Sequence, residues 1–112
     1  MPAEPTSDEL VKILRGTIVS LVKRDNFNLS SRQMGVFLIC YLNGGSHTVR
    51  GLALDLNVTK ACISRSLDRL MEFELVRREV DPCDRRSIFV RRTPNGAVFL
   101  RELRGVMIKA SV

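Results

Sequence analysis

The chain has no tryptophan, one tyrosine and one histidine, His47, and these shortages rule out several kinds of chemistry. A single histidine leaves metal sites and histidine-based triads with too few groups to assemble. Three cysteines, Cys40, Cys62 and Cys83, are an odd number at wide spacing, neither a disulfide framework nor a zinc pattern. They read as reduced thiols. Aromatic residues make up only 5% of the chain, and no small-molecule pocket can be traced in it. There is no phosphate-cradling glycine loop and no spaced set of nucleophile, base and orienting group. The reading is therefore a protein that is not an enzyme, with no cofactor and no metal. No apolar run approaches the length of a membrane span, and MPAEPTSDEL lacks the basic region and apolar run of a signal peptide. A cytoplasmic location is expected.

What is present is charge. Eighteen Lys and Arg against twelve Asp and Glu leave a net +6 on 112 residues, a length that suits a single domain, 1–112. Such a surplus fits a partner with a phosphate backbone, and equally a merely soluble basic protein, so its distribution must decide.

Along the chain, capping signals separate apolar stretches of helical spacing. Thr6 with Glu9 forms a capping box before a helix from about residue 7 to 23, whose Leu10, Ile13, Leu14, Ile18, Leu21 and Val22 are flanked by Val11 and Val19. That stripe is wide enough for a core and a partner. After a polar turn over residues 24–28, Ser30 and Gln33 repeat the box, and a second helix runs until Gly44-Gly45 stops it with a left-handed turn. Cys40, inside this helix, reads as a buried structural residue. Thr48 caps a short third helix, about 49 to 56, Asn57-Val58 turns, and Thr59 caps a fourth helix of about four turns. A short helix, a turn and a second capped helix make the helix-turn-helix arrangement.

On the fourth helix Ile63, Leu67 and Leu70 share one face, with Met71 at its edge. Ala61, Arg65, Asp68 and Arg69 lie opposite, flanked by Cys62 and Ser64. Small and hydrogen-bonding residues around an arginine suit close approach to base edges, though an ordinary solvated face has the same pattern. Two strand-like runs follow, Leu75 to Val80 and Ser87 to Arg92, joined by a six-residue loop from Asp81 to Arg86. Between Arg77 and Arg92, six arginines face three acids, so this hairpin carries half of the net charge. Arginines on a projecting wing suit a narrow minor groove; the other reading is an edge hairpin whose charges block aggregation.

The run LAxxLxVTxxxISRxLDRL from Leu52 to Leu70, followed by LVRR, DPCDRRS and TPNG, resembles the DNA-binding core of the MarR/SlyA family of bacterial transcriptional regulators, over roughly residues 29 to 104. The resemblance implies a winged helix-turn-helix homodimer that binds pseudo-palindromic operators and usually represses. Ser64 and Arg65 match positions facing the groove, and Asp84 and Arg86 match the wing's aspartate-arginine pair, in which the acid orients the arginine. Two departures stand out. Glu74 occupies a position where the family often has glycine, and a single helix, from Pro94 to about Lys109, follows the wing. That helix is apolar around more than half of its circumference, which with the wide first helix suggests dimerisation through 7–28 and 94–112, leaving 29–93 as the DNA-binding core. Completion of a monomeric core is the other reading of these helices.

The expected fold is mainly α with a small β-hairpin, a winged helix-turn-helix with flanking terminal helices. The expected function is sequence-specific binding of double-stranded DNA by a regulator, with Arg50, Lys60, Arg69 and Arg77 beside Ala61, Ser64, Arg65 and Asp68 on the groove side and Asp84, Arg85 and Arg86 on the wing. Phosphate contacts aided by Arg50 and Arg77 would fix register. The competing reading is a winged-helix protein-interaction module, since fold alone does not settle function. Cys62 and Cys83 lie beside arginines on the two proposed contact elements, where oxidation would block binding.

Overall fold

A computed structural model describes residues 3–24 and 27–112, in the order α1 (Ser7–Arg24), α2 (Ser31–Leu42), β1 (His47–Thr48), α3 (Val49–Leu56), α4 (Lys60–Glu72), β2 (Val76–Asp81), β3 (Asp84–Arg92) and α5 (Pro94–Ala110). They fall into two compact units, Leu29–Phe99 and a smaller one of α1 with Leu100–Val112. The expected turn over 24–28 lies, at 25 and 26, outside the described residues.

In the larger unit, side chains satisfy the amide groups that every helix start leaves without partners. Ser30 Oγ accepts from the Gln33 amide (3.1 Å) while Gln33 Oε1 accepts from the Ser30 amide (2.9 Å), so both halves of the capping box form. Thr48, Thr59 and Thr93 accept in the same way from the amides of Gly51, Cys62 and Gly96. Each such cap contributes about 1 kcal/mol. Between α3 and α4, Asn57 takes the left-handed conformation (φ 55°) and the Val58 amide donates to Ala53 O, giving the tight turn of a helix-turn-helix.

The core forms where the apolar faces meet. Phe37, Leu52, Ile63, Leu67, Leu70 and Leu75 are fully buried, with Val36 and Cys40 beside them. Burial pushes the Cys40 thiol up to about 11, although the Arg92 charge acts against it. Phe37 packs on Tyr41 and Phe99, with ring centroids 4.3 and 5.1 Å away. The Tyr41 hydroxyl donates to Leu75 O (2.7 Å) and accepts from the Thr93 amide (2.9 Å), tying α2 to both ends of the hairpin.

Two boundaries differ from the sequence-based expectation. α2 ends at Leu42 with Asn43 extended, so no left-handed glycine closes it; Gly45 (φ 87°) lies beyond. Arg92 takes over that task, its Nε donating to Cys40 O (2.8 Å) and its terminal nitrogen to Asn43 O (3.4 Å), where a cation favours the negative end of a helix. The wing is longer and its tip tighter than expected. Both strands extend into the supposed loop, leaving Pro82-Cys83 at the turn, with an irregularity at Val80/Asp81. The sheet also gains a third strand: the order is β1-β3-β2, all antiparallel, with His47 opposite Val90 and Arg78 opposite Val90 on the other edge.

In the smaller unit Thr6 and Glu9 form the expected box at the start of α1. α1 and the end of α5 cross closely at Gly16, where an added Cβ would stand 2.8 Å from that of Ala110. Arg24 pairs with Glu102 at 3.7 Å. Leu10, Val11, Leu14, Ile18, Val19 and Val22 on α1 are each between 44% and 73% exposed, and Met107 (43%) and Ile108 (65%) on α5 are exposed as well.

Candidate nucleic-acid interface

α4 buries Ile63, Leu67 and Leu70 and leaves Ala61, Arg65 and Asp68 exposed, the division its periodicity predicts. An open hollow of about 520 Å³ lies between the first turn of α3, the start of α4 and the wing. It is lined by Thr48, Val49, Arg50, Lys60, Ser64, Asp84, Arg86, Ser87 and Ile88. Three cations and one acid, drawn from three elements, thus face a common space.

The wing's arginines divide by partner. Arg86 projects with its side chain 95% exposed, and Asp84 Oδ1 accepts from its amide (3.1 Å) and faces its Nε (3.5 Å). Arg85 is exposed. Arg77 and Arg91 share Glu79, at 3.3 and 3.2 Å, and the Arg91 guanidinium lies 4.2 Å from the Phe89 ring centre. On α4, Arg69 is turned toward Glu72 (2.7 Å) and stacks over Phe73. Asp68, expected on the reading face, is held instead by Arg78 of β2, whose two terminal nitrogens reach Asp68 Oδ1 and Ser64 O, each at 2.8 Å.

Two residues here carried no assignment in the sequence. Arg78 enters the sequence reading only through the hairpin's charge and the LVRR motif. Arg32, in the first turn of α2, lies 3.8 Å from Cys62 Sγ, which also accepts from Arg65 (3.5 Å). A hydrogen bond with the Thr59 side chain, and then the neighbouring guanidiniums, hold the Cys62 thiol below its ordinary range. Thirty positions separate Arg32 from Cys62, and no local pattern signals that meeting.

The joint between α4 and the wing is made by Glu74 itself in the left-handed conformation (φ 58°). Its carbonyl accepts from Thr93 Oγ1 (2.6 Å) and its carboxylate from Asn95 Nδ2 (2.8 Å), so the TPNG segment latches the turn. Gly96 is required there, because a Cβ would collide with the Tyr41 hydroxyl and Leu75 O.

Among the described residues no helix is long and apolar enough to cross a membrane. No curated protein matches the chain in sequence. Solved structures do. BldR, a transcriptional regulator from Sulfolobus solfataricus, is 30% identical, with 91% of this chain and 73% of that one covered at a TM-score of 0.64. A mutant of MepR from S. aureus is 20% identical over 95% and 79%, TM-score 0.73. The transcriptional regulator Tm0710 from Thermotoga maritima is 20% identical over 93% and 68%, TM-score 0.69. The model of the MarR family matches residues 27–87, which hold the helix-turn-helix and the wing up to Ser87. On that match, which spans more than half of its length, the chain belongs to the MarR family of transcriptional regulators.

Proposed function

We propose that the chain is a sequence-specific regulator that grips double-stranded DNA as a homodimer, with α4 in the major groove and the wing in the adjacent minor groove, and that it represses. The observation that carries this reading is the shared hollow, where Arg50, Lys60 and Arg86 converge beside Ser64 on the solvent side of α4. Cations from separate elements facing one space suit a continuous phosphate-bearing ligand. Ala61, Ser64 and Arg65 form the reading edge, with Asp68 bordering it. Arg85 and the Asp84-oriented Arg86 enter the minor groove. Lys60 and Arg50 hold phosphates and fix register. Arg77 and Arg69 exchange surface pairs, each worth at most about 1 kcal/mol, for phosphate contacts. The exposed apolar residues of α1, with Met107 and Ile108, form the surface that meets a second copy, and pseudo-palindromic operators follow from that symmetry.

Selection of bound sequences from random duplex DNA tests the reading, since it reports both specificity and half-site symmetry. A recovered motif with two related half-sites is expected. Arg65→Ala should then lose about 1–3 kcal/mol at particular base pairs and little at others. If no duplex is retained at moderate salt, the groove model is wrong.

A further inference from the structure

We infer that Arg78 is a positioning residue for DNA reading, which sets the seat of α4 against the wing without touching DNA itself. The inference rests on the DNA-binding function proposed above. From β2, the Arg78 guanidinium spans three acceptors on one stripe of the reading helix: Ser64 O and Asp68 Oδ1 at 2.8 Å each, and Met71 Sδ at 3.2 Å. Positions four and three apart lie above one another on a helix, so a single planar group reaches them all. Two donors fixed in one plane constrain rotation as well as distance, which the point charge of a lysine does not.

Charge distribution separates Arg78 from the other wing arginines. Arg77 and Arg91 share the single carboxylate of Glu79 and Arg86 faces Asp84, all within the hairpin. Arg78 is neutralised by an acid on α4, and its side chain is only 27% exposed, so it offers little to a phosphate. Ser64, whose carbonyl it holds, carries one of the side chains at the proposed reading edge, and Arg65 is the next residue. The only covalent connection between α4 and β2 passes through the left-handed Glu74 turn, and Arg78 is a second tie about a turn and a half back along the helix. Asp68 thereby acts through Arg78 and reads no base.

The test compares wild type, Arg78→Met, Arg78→Lys and Asp68→Ala. Binding is measured across a salt series to the duplex that wild type selects from a random pool and to poly(dI-dC), with thermal melting alongside. Arg78→Met is expected to lower the ratio of selected to non-selected affinity roughly tenfold, the scale of one mismatched base pair. Its salt slope should stay unchanged, because no phosphate contact is lost. Arg78→Lys should restore part of the ratio, and Asp68→Ala combined with Arg78→Met should lose no more than Arg78→Met alone. A part-exposed pair adds little to stability, so the variants should remain folded; if Arg78→Met does not, Arg78→Lys and Asp68→Ala carry the same comparison. Equal loss on both duplexes with a slope lower by about one would make Arg78 a phosphate contact and overturn the inference. A lower melting temperature with an unchanged ratio would overturn it as a merely structural role. Should wild type itself select no duplex, the DNA reading falls, and the role of Arg78 with it.

Discussion

Glu74 sits in a backbone conformation that costs a residue with a side chain about 1–2 kcal/mol, and two hydrogen bonds from the segment after the wing offset part of that cost. Replacement by glycine removes both the strain and the Asn95 bond, so Glu74→Gly should stay within about 1 kcal/mol of wild type. Glu74→Ala keeps the strain and loses the bond, and should be about 1 kcal/mol less stable. Urea denaturation of the two variants checks this, and equal stability of wild type and Glu74→Ala would mean that the Asn95 bond contributes nothing. The cysteines divide on similar local grounds. Cys62, held below the ordinary thiol range, should be alkylated by iodoacetamide at lower pH than an unperturbed thiol, whereas Cys40 should resist until the chain unfolds. Because the Cys40 thiol is raised from 9.0 to about 11, the folded chain keeps a proton that the unfolded chain releases above about pH 9. Its contribution to stability is therefore complete below pH 9 and falls as pH rises toward 11, and a Cys40→Val variant should show a shallower alkaline loss on melting. The unusual residue at position 74 was legible in the sequence; its latch, an asparagine twenty-one positions away, was not.

At the scale of elements, caps and apolar faces were legible because both are local. Ser30, Thr48, Thr59 and Thr93 each bond within three residues, and the buried face of α4 follows from its spacing. β1 was not, since two residues cannot show an alternating period and its partner is β3, some forty positions away. The end of α2 escaped for the same reason: an arginine from β3 occupies its last carbonyls, while the adjacent glycines offered a plausible local stop. The wing's charge was legible, but the division of its arginines was not, because alternation on the strands decides which of them meet Glu79, Asp68 or solvent. That division yields a prediction. Arg86→Ala should weaken binding to all duplexes and lower the slope of log affinity against log salt by about one, measured by titration at several ionic strengths. An unchanged slope would mean that the wing tip does not meet the backbone charge.

For the whole molecule, the surplus of +6 and the family match point to the same partner, and MarR-family regulators are typically dimeric. The breadth of the apolar stripe on α1 was visible from spacing alone; which part of it the chain covers required the fold, where Thr17 is buried and Leu14 is not. If that exposed stripe meets a second copy, Leu14→Glu should cost about 2 kcal/mol or more of association, by burying an unpaired charge. Sedimentation should then show a monomer where wild type is a dimer, and the dependence of melting temperature on protein concentration should disappear. The close crossing of α1 with Ala110 also bears on synthesis. Gly16 and the Ala110 it meets are far apart in sequence, so at about 5–20 residues per second on the order of ten seconds of synthesis separate α1 from the helix end that packs on it. During that interval the nascent chain shows the apolar stripe of α1 without its packing partner, and a ribosome-bound chaperone would find it there.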